Sequence, residues 1–394
     1  MIENVAKLGV VEKEQKSMEK IRLGVVGLGH RGRHMFKLSA DSFDYIIPVA
    51  ACDIKPSNWY ETQWLSDKPF SEYFPETQFY ESYDEMLEKA DLDVVIVETG
   101  ADIHAEFCAK ALEKNINVLT DIPVVANLKE AERLWQAEQN SKAMISVGAN
   151  PNEQKFTCLL KDFYKKGLLG NPYYMEAEYI HWSLPKSKET IHLNENGDWR
   201  KLLSPIRYCT HSLGPLLTVL TEDLRKVCCF GSGQHADEIH TDERNDMDCA
   251  MFQTDSGVIV KMMRNGRCRA QIGHHNYRVF GTEGYMERID RFDKPVIRYN
   301  SMKELDTELK EIGGEFMPPS YADNPKAVGH GGMDYALLDH FYEAILKGEP
   351  APISLKEGFA MTLPGIYAEE SAKRGGEIIR MVYPWDDDWS TEIK

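Results

Sequence analysis

The chain has 394 residues, with 46 Lys and Arg against 63 Asp and Glu, which gives a formal net charge of −17 at pH 7. This charge argues against a protein that binds nucleic acid or an anionic membrane, because both partners select basic surfaces. At roughly 150 residues per domain, the length predicts two or three domains. The hydrophobic fraction of 42% is enough for sizeable cores and excludes a mainly disordered chain.

The sequence predicts a cytoplasmic protein. No segment reaches the roughly 18 consecutive apolar residues of a membrane helix. Residues 1–20, interpreted as a solvated leader, lack the apolar core of a signal peptide. The eight cysteines are scattered without a CxxC pair, a pattern typical of reduced thiols in the cytosol.

Residues 21–148 alternate short apolar runs with helical patterns. After the strand-like IRLGVVGLG come a helical HRGRHMFKLSADS and a second strand, YIIPVAACDI. Further helices are predicted over 83–90, 104–115 and 128–140, and further strands over 93–98, 117–120 and 143–148. Continuous apolar strands separated by helices indicate βαβ crossovers and a doubly wound parallel sheet.

Residues 149–394 follow a different pattern. An amphipathic segment over 153–166 precedes alternating strand-like runs, and the runs over 248–254 and 258–264 are joined by turn residues, which predicts an antiparallel hairpin. Helices are predicted over 334–347 and 355–373, packing back against the sheet. This half is therefore predicted to be an α+β domain with an antiparallel or mixed sheet.

A GxGxxG motif lies where the first strand meets the first helix. Gly27, Gly29 and Gly32 allow a tight turn, approach of a pyrophosphate and close helix packing, and His30 and Arg31 share this loop. The alternative is a glycine turn in an α/β domain that binds no nucleotide.

An acid follows the second strand. Asp53 fits the carboxylate that binds an adenine ribose diol and repels a 2′-phosphate. NAD is therefore predicted in preference to NADP, although the nearby Lys55 weakens that preference.

With this start, the segments DLDVVIVETGADIH and AKALEKNINVLTDIP make the chain resemble the Gfo/Idh/MocA family of NAD(P)-dependent oxidoreductases. The resemblance implies a large open, mainly antiparallel C-terminal sheet that covers the nicotinamide, and a sugar or polyol substrate. It also implies cofactor contacts by Thr99, His104, Asp121 and Pro123. The family's catalytic lysine is replaced by Ile122, which can neither carry charge nor transfer a proton.

Three later motifs resemble the NAD-dependent glycosidases of glycoside hydrolase family 109. They are EYIH at 178–181, RYCTHSLGP at 207–215 and GHGGMDY at 329–335. That branch tolerates a hydrophobic residue in the lysine position. The resemblance implies a recycled NAD that oxidises C3 of a sugar, so that the acidified C2 proton is lost and the C1 substituent is expelled before water adds and the hydride returns.

The matched motifs nominate four catalytic residues. His211 is the predicted base for the C3 hydroxyl with Tyr208 beside it, on one face if a helix begins there. Tyr179 and His181, two apart on a strand, are predicted to contact C2 and the leaving group. For each of them, a satisfied structural role is the alternative. His330 is predicted to contact the substrate, with positioning or helix capping as the alternative.

Sugar binding is also assigned to Trp182, Trp199 and Arg200, with core or lid packing as the alternative. No catalytic metal is predicted, because neither His274–His275 nor the loose pair His235 and His240 forms an HxxxH or HExxH arrangement.

Two other functions stay open: a simple NAD(P)-dependent sugar or polyol dehydrogenase, and a protein that binds NAD without catalysis. A homo-oligomer, dimer or tetramer, is expected through the exposed face of the open sheet.

Overall fold

The computed structural model describes residues 20–63, 66–180, 203–235, 245–265, 275–290, 294–304 and 306–394. Within these ranges the strands form two sheets, the first from strands between residues 21 and 147 and the second from strands between residues 172 and 380. The first is the predicted parallel sheet. Its strands are Ile21–Val26 (β1), Ile46–Cys52 (β2), Gln78–Tyr80 (β3), Val94–Val97 (β4), Asn117–Thr120 (β5) and Ile145–Val147 (β6).

The N-terminal sheet has the spatial order β3-β2-β1-β4-β5-β6, with every pair parallel. This order places the first crossover at the centre, so the carboxyl ends of β1, β4 and β5 are neighbours. Residues 94–97 are fully buried, as expected for a strand covered on both faces. The helices of this half are His30–Ser42 (α1), Ser57–Tyr60 (α2), Phe70–Tyr73 (α3), Tyr83–Lys89 (α4), Ala101–Glu113 (α5) and Leu128–Gln139 (α6).

Local sequence explains where these helices begin. The side chains of Ser82 and Asn127 accept hydrogen bonds from backbone N–H groups in the first turns of α4 and α6. Helix α5 begins at Ala101, three residues before the predicted start, so His104 lies in its first turns. The predicted domain boundary near Gly148 follows β6 and stays a prediction.

The C-terminal sheet is mixed and mainly antiparallel, with the order β14-β13-β12-β11-β7-β10-β9-β8-β15. Strands β7 and β10 are parallel, and the other neighbouring pairs are antiparallel. Its strands are Pro172–Tyr179 (β7), Leu224–Gly231 (β8), Met247–Thr254 (β9), Ile259–Asn265 (β10), His275–Gly281 (β11), Gly284–Ile289 (β12), Val296–Ser301 (β13), Asp306–Gly313 (β14) and Ile379–Arg380 (β15).

The predicted hairpin is confirmed as β9 and β10, with Gly257 at φ +98° in the turn. One face of this sheet is buried and the other carries cross-strand ion pairs. Arg278 pairs with Glu176 at 2.7 Å, and Arg298 pairs with Glu311 at 3.0 Å. Oligomerisation through this outer face stays a prediction.

The remaining helices are Lys155–Lys165 (α7), Thr210–Leu217 (α8), Met333–Lys347 (α9) and Leu355–Lys373 (α10). Helix α10 packs on β8, as predicted. Helix α9 departs from the prediction, because its main neighbours are α1 and the 3₁₀ turn Asn150–Glu153. Tyr335 stacks on Phe43, and Tyr342 donates a hydrogen bond to Ser39 on α1. An apolar helix therefore joins the two halves.

The seven cysteines within the described ranges are free thiols. Among the described residues, no helix combines the length and apolarity that a membrane crossing requires.

Candidate active site

The glycine loop has the geometry that the sequence predicts. Gly27 has φ +90°, and a Cβ there would collide with the carbonyl oxygen of Glu98. A Cβ on Gly32 would collide with the carbonyl oxygen of Gly27, so only glycine lets α1 approach β1 this closely. At Gly29 a Cβ would meet nothing within 4 Å, which leaves open space at the start of the helix.

The start of α1 fits an anionic dinucleotide. Gly29 caps the helix without a side-chain hydrogen bond, and the first turn contains no acidic residue, so the terminal N–H groups and the helix dipole face the open space. The carboxylate of Asp53 is fixed nearby at the end of β2, where it accepts hydrogen bonds from Leu28 N at 2.7 Å and Asn58 Nδ2 at 3.1 Å.

Two further loops meet at His104. Its Nδ1 lies 3.0 Å from the carbonyl oxygen of Pro123, and its Nε2 lies 3.0 Å from the carbonyl oxygen of Thr99. The residue is 1% exposed. Both ring nitrogens face backbone carbonyl oxygens within the fold, so His104 links the two loops, and its predicted cofactor contact stays a prediction.

A cavity of about 450 Å³ joins the two halves of the chain. Some of the residues that line it were predicted from the sequence to bind the cofactor, and others were predicted to be catalytic. Its lining residues are Gly29, His30, Arg31, Glu98, Thr99, Asp121, Gly148, Asn150, Tyr208, His211 and His330. Residues that the motifs had assigned to separate tasks therefore share one space.

The first wall of the cavity is ionic. The Arg31 guanidinium lies 2.7 Å from the buried Asp334 carboxylate, which also contacts His330 at 2.7 Å, His34 at 3.1 Å and Asn150 at 2.9 Å. Burial alone would raise the pKa of Asp334, but the charge of Arg31 and the hydrogen bonds from the histidines lower it well below its usual value. Asp334 therefore stays ionised and ties α9 to the nucleotide loop.

The first glycine of the GHGG loop lies against this carboxylate. Gly329 has φ +82°, and a Cβ there would lie 2.7 Å from Asp334 Oδ2 and 2.7 Å from His34 Nε2. His330 contacts Asp334 through Nδ1, yet its side chain is 59% exposed and lines the cavity. The positioning alternative is therefore present in the structure, and the predicted substrate contact stays a prediction.

Glu98 and Asp121 extend the ionic wall. They follow Val97 and Thr120, which are paired in register on β4 and β5. Arg31 Nε lies 3.7 Å from Glu98 Oε1. Burial and the neighbouring charge of Asp121 raise the pKa of Glu98 well above its usual value, although Arg31 opposes the shift. The sequence motifs missed Glu98; its signal was an acid directly after a buried strand, beside the acid after the next strand.

The second wall is aromatic. The Tyr208 hydroxyl lies 3.4 Å from His211 Nε2, and the two ring centroids are 5.0 Å apart. Helix α8 begins only at Thr210, so Tyr208 precedes it, in contrast to the helical spacing that the sequence suggested. The two side chains still converge, because the turn at Pro205–Arg207 leads Tyr208 into the start of the helix.

Other aromatic residues support this wall from behind. Tyr179, only 8% exposed, stacks on Tyr208 with centroids 6.0 Å apart and lies 5.3 Å from the His211 ring. The Arg264 guanidinium lies 4.4 Å from the centroid of the Tyr179 ring. Tyr277 donates a hydrogen bond of 2.6 Å to the carbonyl oxygen of His211. The predicted substrate contact of Tyr179 stays a prediction, and its observed contacts are with Tyr208, His211 and Arg264.

Comparison with known proteins agrees with this geometry. Residues 21–149 match the sequence profile of the GFO_IDH_MocA family, described as an oxidoreductase family with an NAD-binding Rossmann fold. The match covers about a third of the chain and includes all six strands of the parallel sheet. NAD is the cofactor of such domains, and the loop, the helix start and Asp53 described above fit it.

Relatives cover nearly the whole chain at low identity. A glycosyl hydrolase family 109 protein of Shewanella pealeana is 22% identical over 382 residues, covering 90% of this chain and 83% of the relative. An alpha-N-acetylgalactosaminidase of Shewanella oneidensis is 23% identical over 390 residues, with the same coverage. The solved levoglucosan dehydrogenase in complex with NADH and levoglucosan aligns with a TM-score of 0.74 and 16% identity, covering 92% of this chain and 99% of that one, which shows a shared fold.

Within the matched region, Ile122 stands where the family that the chain resembles has a lysine. Its side chain is 2% exposed and packs in the hydrophobic core with Val124 and Val125. The position therefore supplies no polar group to the cavity.

Several predicted residues lie outside the described ranges. They are His181, Trp182, Trp199 and Arg200. Of the histidine pairs considered for metal binding, His240 and His274 also lie outside. Among the residues that the structure does describe, no group of three or more His, Cys, Asp or Glu side chains could hold a metal ion.

Proposed function

We propose that the protein is an NAD-dependent enzyme that acts on a sugar or glycoside at a ring carbon, C3 by analogy with its relatives, and cleaves a glycosidic bond through transient oxidation. The observation that supports this proposal is the shared cavity, in which the nucleotide-loop residues face Tyr208 and His211. The names of the relatives in glycosyl hydrolase family 109 support the same reaction class.

The cofactor would be held by the glycine loop, the open start of α1 and Asp53. The carboxylate of Asp53 would accept hydrogen bonds from a ribose diol and repel a 2′-phosphate, so we propose NAD in preference to NADP. When bound, NAD supplies the two-electron oxidation of a ring carbon and reverses it at the end of the cycle, so the net reaction is hydrolysis.

The side chains of the aromatic wall would move protons. His211 would accept the proton of the C3 hydroxyl, with Tyr208, 3.4 Å from His211 Nε2, ordering the imidazole and the substrate. A ketone at C3 makes the C2 proton far more acidic, and its loss expels the C1 substituent. His181, two residues beyond Tyr179, is proposed as the acceptor of the C2 proton.

The absence of a lysine fits this assignment. In the resembling oxidoreductases, a lysine acts near the oxidised hydroxyl, whereas here Ile122 is buried in the core. A site that depends on His211 needs a neutral imidazole as base, and an imidazole is a better base near pH 7 than a fully protonated lysine.

The test uses an aryl N-acetyl-α-galactosaminide, chosen because of the S. oneidensis relative, together with other aryl glycosides, each with and without added NAD in D₂O. We expect NAD-dependent release of the aglycone and deuterium at C2 of the product. His211→Gln should lower the rate by about 10²- to 10⁴-fold. His235→Gln, an exposed histidine outside the cavity lining, is the matched control and should act like the wild type.

Other results would point elsewhere. Stoichiometric NADH on addition of a free sugar, without aglycone release, would identify a simple dehydrogenase. NAD binding without turnover of any sugar tested would indicate a binding protein, and the proposal would then be wrong.

A further inference from the structure

We propose that Glu98 and Asp121 share a single proton, and that Glu98 is the acid that protonates the departing oxygen. This inference rests on the proposed function, because only a reaction with a leaving group needs such an acid. It assigns a catalytic role to a residue that the sequence motifs do not single out.

Strand register places the two carboxyl groups side by side. Val97 and Thr120 are partners on adjacent parallel strands, so the residues that follow them leave the sheet at the same edge. Glu98 and Asp121 both line the cavity. The Glu98 side chain is 3% exposed, and no N–H or hydroxyl group in the described part of the chain donates a hydrogen bond to its Oε2. A buried carboxyl oxygen in a cavity lining that lacks such a donor is placed for a ligand or a proton.

The local charges favour one shared proton. Arg31 is the sole Lys or Arg among the described residues of the lining, and it faces three carboxyl groups: Asp334, Glu98 and Asp121. Its shortest contact is with Asp334 at 2.7 Å, against 3.7 Å to Glu98. Asp334 is further stabilised as an anion by His34, His330 and Asn150.

Glu98 and Asp121 thus lack a second cation among the described residues of this wall. Two neighbouring carboxylates cannot both ionise at low cost in a buried site, and one of them keeps its proton. Burial and the charge of Asp121 raise the pKa of Glu98 well above its usual value, in agreement with this arrangement.

The proposed reaction has one place for a group that begins protonated. Before water adds, the sugar loses the hydroxyl proton of C3 and the proton of C2, and both go to bases. The electron pair left by the C2 proton forms the C1=C2 bond as the C1–O bond breaks. The departing oxygen takes the bond's electron pair and needs one proton, which Glu98 would supply.

The pair then recovers its proton. When water adds to C1, its oxygen forms the new C1–O bond and keeps one of its two protons. The other proton of water returns to the Glu98–Asp121 pair, and C2 regains a proton from the base that had accepted one. The proposed acid Glu98 and the proposed base His211 come from different walls of the cavity.

The shared proton can be measured without turnover. At neutral pH the wild type should show an infrared carbonyl band of a protonated, buried carboxylic acid. Glu98→Gln and Asp121→Asn should each abolish it, because removing one charge lets the remaining carboxyl group ionise. Glu287→Gln removes another buried carboxyl group, on β12, and should leave the band unchanged. A band that survives both cavity variants would overturn the shared proton.

Donation can be measured by changing the leaving group. Glu98→Gln should lower kcat for an alkyl glycoside, whose alkoxide needs a proton, by about 10²- to 10⁴-fold. It should lower kcat for a nitrophenyl glycoside, whose anion leaves unaided, by less than about tenfold. A purely structural role would lower both rates equally, and that result would overturn the donation.

The failure of this inference differs from the failure of the proposed function. If the wild type releases no aglycone from either glycoside, the glycosidase proposal and proton donation fall together, while the infrared result still decides whether the proton is shared. If the wild type cleaves both glycosides and Glu98→Gln loses the same factor on each, only the role of Glu98 is wrong.

Discussion

The two walls of the cavity hold their polar groups by different means. On the Rossmann side, Arg31, Asp334 and Glu98 form a buried ionic cluster whose members come from α1, α9 and the end of β4. On the other wall, Tyr208 and His211 make an edge-to-face ring contact, and Tyr277 donates a hydrogen bond to the backbone carbonyl oxygen of His211. The stability of the ionic wall therefore depends on charge and on pH, whereas that of the aromatic wall depends on packing.

This difference suggests that the two walls have different roles. Ionic contacts in a buried wall fix protonation states, because burial and neighbouring charges move the pKa values apart. Aromatic packing fixes orientation and leaves an imidazole free to gain and lose protons. Variants on each wall should therefore change different observables.

The largest effect is expected from Asp334→Asn, which breaks the ionic wall. The variant leaves the Arg31 guanidinium without its closest anion, and breaking a buried pair costs about 3–5 kcal/mol of unfolding free energy. Urea unfolding at pH 7 would measure it. Asp388→Asn removes an exposed partner of Arg380 and should leave the midpoint unchanged. A loss no greater than that of the control would show that the cluster does not hold the wall.

The same cluster predicts an acid-sensitive stability. Because the pKa of Asp334 is lowered in the folded state, its contribution is complete above its unfolded value of about 3.9 and is lost as the pH falls further. The difference in unfolding free energy between wild type and Asp334→Asn should therefore shrink below about pH 4, which urea unfolding over a pH series would show.

The contribution of Glu98 to the unfolding free energy should have the opposite pH dependence. The expected change is smaller than that for Asp334. The pKa of Glu98 is raised in the folded state, so its favourable protonated form is present below the unfolded value of about 4.3 and is lost as the pH rises through the folded value. Unfolding between about pH 4 and pH 9 should show Glu98→Gln gaining stability relative to the wild type as the pH rises, by about 1.4 kcal/mol for each pH unit that separates the folded and unfolded pKa values. Parallel curves would mean that the pKa of Glu98 is not raised in the folded state.

The smallest change in stability is expected on the aromatic wall. Tyr277→Phe removes the hydrogen bond to the His211 carbonyl oxygen and should cost about 1 kcal/mol of unfolding free energy, independent of pH near neutrality. Because His211 shifts, kcat should fall about tenfold. Tyr342→Phe, which loses a buried hydrogen bond to Ser39, should cost similar stability without changing kcat. Equal kcat values for both variants would show that Tyr277 does not position His211.

Sequence patterns nominated several of the residues that line the cavity. The glycine loop, Asp53, Thr99 and the pair Tyr208 and His211 followed from motifs, because each motif encodes a local backbone need or a reactive side chain. The shared cavity lining agrees with the grouping of Gly29, Thr99, Tyr208 and His211. The importance of His104 was visible in the sequence, yet its burial between two carbonyl groups depends on loops that meet only in the folded chain.

The sequence by itself determined the parallel Rossmann sheet, the antiparallel hairpin and the argument against polyanion partners, because periodicity, turn residues and charge are local or additive properties. Tertiary structure alone decided that α9 packs on α1, that Asp334 captures Arg31, and that Glu98 lies beside Asp121 with a raised pKa. Those outcomes depend on which distant residues become neighbours and on how deeply they are buried. The protonation state of a carboxyl group is set by those surroundings, which the order of residues does not display.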